Sequence, residues 1–172
     1  MRTDRNLPHV APDPPRGVLR TFVRLMGTGA VSAFERSLPW RLIAWRLVPR
    51  LMRLTGRLTM ARPFPAGLIE TRDQRNGRPH CRVAIYFHDG DRVIVIPTKG
   101  GMPSDPFWFE NALADPEVRF GGHPFRAEAV AEEAELTRLW EMADRFYPPF
   151  AGFREHAARS GRTIPILRLL PA

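Results

Sequence analysis

The chain has 172 residues, and 44% of them are hydrophobic. This length and composition suit one domain with a real core and exclude a chain that is disordered throughout. The net charge of +8 favours an anionic partner, such as a phosphorylated cofactor, a membrane surface or a nucleic acid. Cys81 is the only cysteine, which excludes an intrachain disulfide and favours a reducing, cytoplasmic location.

The first 60 residues differ in character from the rest. Residues 1–17 are rich in proline and charge, which predicts a disordered lead-in. Residues 18–60 are basic and carry apolar positions at helical spacing, which predicts a helical extension. The segment contains no signal-peptide pattern and no apolar run long enough to span a membrane.

Residues 36–62 contain seven arginines, two tryptophans and no acid. A basic amphipathic helix with tryptophan is typical of a segment that lies on an anionic membrane surface. For a cytoplasmic protein, this would be the inner face of the membrane. The alternative is that these helices pack over the rest of the protein.

From Gly67 onward the pattern changes to short strands separated by turns. The predicted strands cover residues 68–71, 82–87, 92–98, 118–120, 125–130 and 164–170. Asp-Gly at 89–90 and Gly-Gly at 121–122 predict two hairpins. The predicted helices cover residues 105–114, 132–147 and 150–160, and Asp105 is expected to cap the first of them. Hairpins with scattered helices predict an α+β fold on an antiparallel barrel.

Three segments carry candidate chemistry. Glycines that follow a strand at 97–101 let backbone N–H groups approach an anion, and the only lysine, Lys99, stands in this turn. Trp108 and Asn111 share a helix face that suits a flat cofactor. The arginine-containing turn at 71–77 suits a phosphate or carboxylate chain. For each segment the alternative is an ordinary turn or core position.

Other chemistry has little support in the sequence. Cys81 has no recognisable base partner, so we interpret it as a buried structural residue. The histidines do not show metal-ligand spacing, so no metal site is predicted. The sequence contains no dinucleotide-binding or P-loop motif. It also contains no recognised nucleic-acid-binding module, which argues against a nucleic-acid partner. No catalytic residue is singled out.

Taken in order, these segments resemble the deazaflavin-dependent nitroreductase family. The matching stretches are residues 93–101, 105–118 and 162–166, beside family patterns of the form V-A-S-K-G-G, N-P-x-W-Y-x-N-L-x-A-N-P-x-V and R-x-I-P-I. The resemblance implies a split β-barrel of roughly six antiparallel strands, related to FMN-binding proteins, with peripheral helices and an N-terminal helical extension. We therefore assign the barrel domain to residues 67–172.

The resemblance also implies an oxidoreductase that passes hydride from reduced coenzyme F420, an 8-hydroxy-5-deazaflavin, to a quinone, nitroaromatic or similar small acceptor. The implied cofactor-binding residues are Arg75, Asn76, Gly77, Arg82, Pro97, Thr98, Lys99, Gly100, Gly101, Trp108 and Asn111, with Lys99 near the phosphate. Tyr147, Phe150 and Phe153 take the places of three substrate-pocket tyrosines found in some members. Related barrels often dimerise, which makes a homodimer a further expectation.

The turn at 73–77 departs from the family pattern. Members usually carry G-R-K-S-G there, whereas this chain has Asp73 and Gln74 at the first two positions, which removes a cation and adds an anion. Two alternatives follow. The barrel binds FMN or another cofactor in place of F420, or the protein is a non-catalytic, membrane-peripheral member of the family.

Overall fold

The computed structural model describes residues 7–15, 17, 21, 48–54, 58–61 and 64–172. The strands in this part of the chain are β1 (Leu58–Ala61), β2 (Phe64–Arg72), β3 (Pro79–Asp89), β4 (Arg92–Val95), β5 (Glu117–Phe120), β6 (His123–Ala129) and β7 (Leu167–Pro171). The helices are α1 (Val48–Leu54), α2 (Phe107–Ala114), α3 (Glu133–Phe146) and α4 (Pro149–Ala158), with a short 3-10 helix at Lys99–Gly101.

The strands form one antiparallel sheet in the order β1-β2-β3-β4-β7-β6-β5. The sheet closes on itself because β2 also pairs with β5, at Ile69 opposite Phe120 and Glu70 opposite Arg119. The N–H of Gly121 donates to the Leu68 carbonyl at 3.0 Å beside this seam. Six strands therefore form a barrel and β1 extends it at β2, which confirms the predicted α+β split barrel with peripheral helices.

Both predicted hairpins form, because their turn residues encode them locally. In the β3–β4 hairpin Asp89 pairs with Arg92, and Gly90 takes a φ of 60°. In the β5–β6 hairpin Phe120 pairs with His123, and Gly121 and Gly122 both have positive φ. Two-residue loops of this kind need left-handed backbone, which glycine adopts without strain.

Two apolar clusters lie on either side of β3 and β4. Tyr86, Val93 and Phe120 belong to the cluster inside the barrel. Phe87 and Ile94 belong to the second cluster, which α3 and α4 cover from outside. Alternate residues of the same strands thus pack into different clusters, as the two-residue period of a strand requires. The strands that lead to the candidate site are held from both faces.

The N-terminal expectation of disorder is wrong for residues 7–10. Leu7 is buried in the barrel cluster, and the Tyr86 hydroxyl donates to the Pro8 carbonyl at 3.1 Å. The Val10 N–H donates to His88 Nδ1 at 3.0 Å, and the His88 N–H donates to the Val10 carbonyl at 2.8 Å. Apolar side chains and paired backbone groups outweigh the proline content here. Residues 1–6 lie outside the described residues.

The helical extension is described only near its end. Val48–Leu54 is helical as predicted, and Met52 clusters with Leu68 and Cys81 on the outer face of the sheet. Residues 58–61, however, form β1 instead of continuing the helix, because they pair with the start of β2. Residues 36–47, with three of the seven arginines of the segment 36–62, lie outside the described residues, as do residues 55–57 and 62–63. In the part that is described, no helix is long and apolar enough to cross a membrane.

Candidate functional site

A cleft of about 730 Å³ opens between β3, the loop after β4, the start of α2 and the helix α4. Most of the predicted site residues line it: Arg82, Pro97, Thr98, Lys99, Gly100, Trp108, Tyr147, Phe150 and Phe153. The remaining predicted residues do not appear among those that line the cleft: Arg75, Asn76, Gly77, Gly101 and Asn111. The sequence analysis missed several lining residues, including His80, Met102, Phe107 and His156.

The loop at residues 97–102 has an unusual backbone. Thr98 is right-handed helical, whereas Lys99, Gly100 and Gly101 have φ values of 49°, 65° and 77°. Lys99 is the only non-glycine residue with positive φ among the described residues. A right-handed residue followed by a left-handed one turns successive N–H groups toward a common point, which is an arrangement that binds anions.

The Lys99 side chain is tethered at the wall of the cleft. Its ammonium group donates to Ser104 Oγ at 2.8 Å and to the Asp105 carbonyl at 3.1 Å. It also lies 5.9 Å from the centroid of the Phe107 ring. A positive charge therefore stands beside the anion-binding turn, within a wall made of loop and helix.

Gly101 supports this loop from behind. A Cβ atom added there would lie 2.6 Å from the Phe153 carbonyl oxygen and 3.0 Å from His156 Cβ. Only glycine allows the loop to approach α4 so closely. Gly101 therefore packs against α4, whereas the resemblance predicted that it would lie along the cofactor.

Arg162 holds the same loop from the side of β7, and the sequence analysis missed this role. Its guanidinium group is buried and donates to the carbonyls of Pro97, Thr98 and Met102 and to the Asp105 carboxylate. The expected N-cap of α2 by Asp105 is wrong, since Pro106 occupies the cap position without a side-chain cap bond. The Asp105 carboxylate binds Arg162 instead. The R-x-I-P-I motif, which begins at Arg162, was the sequence feature that pointed to this residue.

Asn111 connects α2 to the turn between β2 and β3. Its Nδ2 donates to Thr71 Oγ1 at 3.3 Å, and its Oδ1 accepts the Gln74 N–H at 3.2 Å. The side chain is buried, so both ends of the amide need these partners. Arg75, on the exposed tip of that turn, lies 5.5 Å from the centroid of the Phe107 ring at the cleft. Asn111 thus anchors a turn whose cation stands near the cleft.

His80 and Arg82 extend from β3 into the cleft. Burial, and then the charge of Arg82, lower the pKa of the His80 imidazole below its ordinary value, against a smaller opposing effect of Asp73. The buried Nδ1 of His80 has no hydrogen-bond partner among the described residues. Arg82 donates from Nη1 to the Cys81 carbonyl at 2.8 Å. A neutral imidazole and a guanidinium group therefore offer polar contacts on this wall.

The opposite wall is apolar. Tyr147, Phe150 and Phe153 are all buried, and the Tyr147 and Phe150 ring centroids are 4.8 Å apart in an edge-to-face arrangement. Trp108 closes the cleft at the start of α2 and also belongs to the barrel cluster. Flat aromatic ligands suit such a wall, because ring contacts contribute most of their binding free energy. Within the described residues no group of three or more His, Cys, Asp or Glu is placed to hold a metal ion.

The barrel and its cleft, with an anion-binding turn at one end and aromatic rings at the other, define a split-barrel protein with a flavin-type site. The family model of the F420H(2)-dependent quinone reductases matches residues 45–171, and the chain belongs to this family. The match confirms the resemblance to deazaflavin-dependent reductases and narrows it to the quinone reductases.

Individual relatives agree with the family match. The F420H(2)-dependent quinone reductase Rv1261c of Mycobacterium tuberculosis is 26% identical over 110 residues, which cover 61% of this chain and 72% of that protein. A second relative from M. tuberculosis, Rv3178, named for the same activity, is 30% identical over 114 residues, which cover 64% of this chain and 92% of that protein.

Solved structures support the fold. The F420-H2 dependent reductase FDR-A is 25% identical, with a TM-score of 0.52 over 63% of this chain and 94% of that one. A structure described as a domain-swapped dimer is 22% identical, with a TM-score of 0.53 over 72% of this chain and 96% of that one.

Proposed function

We propose that this protein is an oxidoreductase that transfers hydride from reduced coenzyme F420 to a quinone or a similar small acceptor. The observation that carries the proposal is the cleft, which combines the anion-binding turn at Thr98–Gly100 with the aromatic wall of α4. Membership of the F420H(2)-dependent quinone reductase family favours coenzyme F420 over the FMN alternative.

The residues of the cleft fit this coenzyme. The backbone N–H groups of Lys99 and Gly100 and the side chain of Thr98 bind its phosphate, with the Lys99 ammonium group alongside. The Thr98 N–H itself donates to the Ile96 carbonyl. Trp108 provides an aromatic surface for the ring system, and the His80 imidazole, which lines the cleft, is a polar contact for it. When bound, the coenzyme supplies the hydride, and the protein contributes binding and orientation.

The turn at residues 75–77 holds the outer, charged end of the coenzyme. Arg75 supplies the cation, while Asn76 and Gly77 shape the exposed turn, in which Gly77 has a φ of 69°. Asn111 and Gly101 act behind the cleft wall: Asn111 fixes the turn to α2, and Gly101 fixes the loop to α4. These two residues are therefore positioning residues in this proposal.

The acceptor lies against Tyr147, Phe150 and Phe153. These buried rings exclude water and stack on or against a flat, apolar acceptor such as a quinone. The Tyr147 hydroxyl and the His156 imidazole are the polar groups that α4 and its preceding turn bring to this part of the cleft. Quinones, which need few hydrogen bonds, suit it better than strongly polar acceptors.

A titration of the purified full-length protein with coenzyme F420, followed by fluorescence, tests the cofactor. We expect binding at micromolar concentration or tighter, and F420H2-dependent reduction of a water-soluble naphthoquinone. FMN titrated in parallel serves as the comparison. Tight FMN binding with no F420 binding would reject the proposal in favour of an FMN barrel, and F420 binding with no quinone turnover would favour a non-catalytic member.

We also propose that this protein is cytoplasmic and that it associates with the inner face of the membrane through residues 36–62. On α1 the side chains of Leu51 and Leu54 are 49% and 83% exposed, next to the exposed Arg50. Apolar side chains beside cations suit an anionic lipid surface, where quinones are dissolved. Sedimentation with anionic vesicles tests this, with neutral vesicles as control. Leu54→Glu is expected to reduce binding; equal binding by this variant would contradict the proposal.

The assembly and the domain division remain proposals of the same kind. We propose a homodimer, and light scattering of the purified protein measures its mass directly.

We propose residues 1–17, 18–60 and 67–172 as the lead-in, extension and barrel domain, with the ordered residues 7–10 docked on the barrel. Because β2 begins at Phe64, limited proteolysis that leaves a stable fragment beginning at or just before Phe64 would support that division.

A further inference from the structure

We propose that Arg162 is a positioning residue that holds the loop at residues 97–102 in its anion-binding conformation before the coenzyme arrives. This inference rests on the proposed function, because it concerns the site at which the coenzyme phosphate binds. Arg162 itself does not line the cleft. Its effect on binding passes through the backbone that it holds.

The contacts of one guanidinium group span the whole loop. Nη2 donates to the Pro97 carbonyl at 2.6 Å, and Nη1 donates to the carbonyls of Thr98 at 3.0 Å and Met102 at 2.8 Å. Nε and Nη2 both donate to Asp105 Oδ1, at 2.9 Å and 2.6 Å. Both ends of the loop and Asp105, two residues before α2, are thus tied to one side chain that is 6% exposed.

This loop needs such a partner. Lys99, Gly100 and Gly101 are all left-handed, a conformation that costs free energy at Lys99 and persists only when the surroundings hold it. Without the guanidinium, the Pro97 and Met102 carbonyls would lose the donor that Arg162 provides, and the Thr98 carbonyl would keep only the Gly101 N–H, at 2.9 Å. A lysine at position 162 would provide the charge but not the planar fork of five donors that reaches several carbonyls at once.

Asp105 couples Arg162 to the lysine of the cleft. Its carboxylate accepts from Arg162, while its backbone carbonyl accepts from Lys99 Nζ. The position of the Lys99 ammonium therefore depends on the same residue that Arg162 holds. A contact made between residues 57 positions apart in the chain sets both the backbone and the charge of the anion site.

The test compares Arg162→Ala with Arg168→Ala in the full-length protein. Arg168 also pairs with two carboxylates, those of Glu128 and Glu135, but does not line the cleft. We expect Arg162→Ala to weaken coenzyme F420 binding by about tenfold or more, with a much smaller change in kcat. Arg168→Ala is expected to lower the thermal midpoint without changing F420 affinity.

Chemical rescue separates positioning from general destabilisation. Millimolar guanidinium is expected to restore part of the F420 affinity of Arg162→Ala and to leave Arg168→Ala unchanged. Arg162→Lys should bind F420 nearly as weakly as Arg162→Ala despite its charge. If Arg162→Ala does not fold, the milder Asp105→Asn variant is expected to show the same loss of affinity in smaller measure. Unchanged affinity in these variants would overturn the inference.

Hydrogen exchange provides a readout that needs no coenzyme. In the free protein, the amides of residues 99–102 are expected to exchange faster in Arg162→Ala than in the wild type, and at the wild-type rate in Arg168→Ala. Failure of the wild type to bind F420 would reject the proposed function and leave this measurement intact. Unaltered exchange in Arg162→Ala would reject the positioning role by itself.

Discussion

At the scale of single residues, Phe150 and Phe153 are buried and line the cleft, at positions where the family resemblance implies tyrosine in some members. A phenyl ring keeps the apolar wall but offers no hydrogen bond to the acceptor. In the proposed acceptor site these two positions therefore set the polarity, with Tyr147 as the remaining phenol of the three.

Phe153→Tyr is expected to change acceptor binding more than protein stability. A hydroxyl at the cleft can reach the acceptor oxygen, so the KM for a naphthoquinone should fall by several-fold, in keeping with about 1 kcal/mol for one hydrogen bond. Phe146→Tyr is the matched control, because Phe146 is buried in the same cluster but does not line the cleft. That control should lose stability and keep its KM. Equal KM changes in both variants would contradict the assignment of the acceptor wall.

At the scale of elements, the loop after β4 depends on its contact with α4. Gly101 packs against the Phe153 carbonyl, whereas a Cβ added at Gly100 would meet nothing within 4 Å, although both residues have positive φ. The two glycines therefore separate the cost of left-handed backbone from the cost of a steric clash.

Gly100→Ala is expected to lower the free energy of unfolding by about 1 kcal/mol, the cost of placing alanine in left-handed backbone. Gly101→Ala carries the same cost and in addition must move the loop away from α4, so its loss should be larger by roughly 1–3 kcal/mol. Urea unfolding of both variants measures the difference. Equal losses would show that the loop moves away from α4 without cost.

The elements that the sequence predicted are those encoded by neighbouring residues. Both hairpins and α2–α4 follow from turn residues, prolines and periodicity within a few positions. The role of Arg162 was not predicted, because its partners lie about sixty positions earlier and the R-x-I-P-I motif that begins at this residue does not show what the side chain contacts. The same reason applies to residues 7–10, which pack on β3 through contacts 78 positions apart. The cleft residue His80 was missed because nothing near it in the sequence shows that the start of β3 lies beside the loop after β4.

At the scale of the whole molecule, the docking of residues 7–10 makes stability depend on pH. Burial, and then the nearby His9, lower the pKa of His88 to about 4, while its Nδ1 accepts the Val10 N–H. The ring must therefore stay neutral in the folded protein at pH values at which the unfolded chain already binds a proton.

The free energy of unfolding is expected to fall as the pH is lowered from about 6.5 to about 4, by up to about 1.4 kcal/mol per pH unit, because unfolding takes up a proton in this window. The lowered pKa of His80 adds an effect of the same sign. His88→Gln keeps an acceptor for Val10 and cannot titrate, so urea unfolding should show a shallower pH dependence for this variant. An unchanged slope would contradict the role given to His88.

The seam that closes the barrel is much shorter than the ladder beside it. Two residue pairs join β2 to β5, whereas seven join β2 to β3. Under a mechanical load we expect the β2–β5 pairs to separate first, so that the barrel opens into a curved sheet whose longer ladders remain paired. The barrel is thus closed by two residue pairs and the neighbouring Gly121–Leu68 hydrogen bond, and a widening of the barrel would have to separate these contacts.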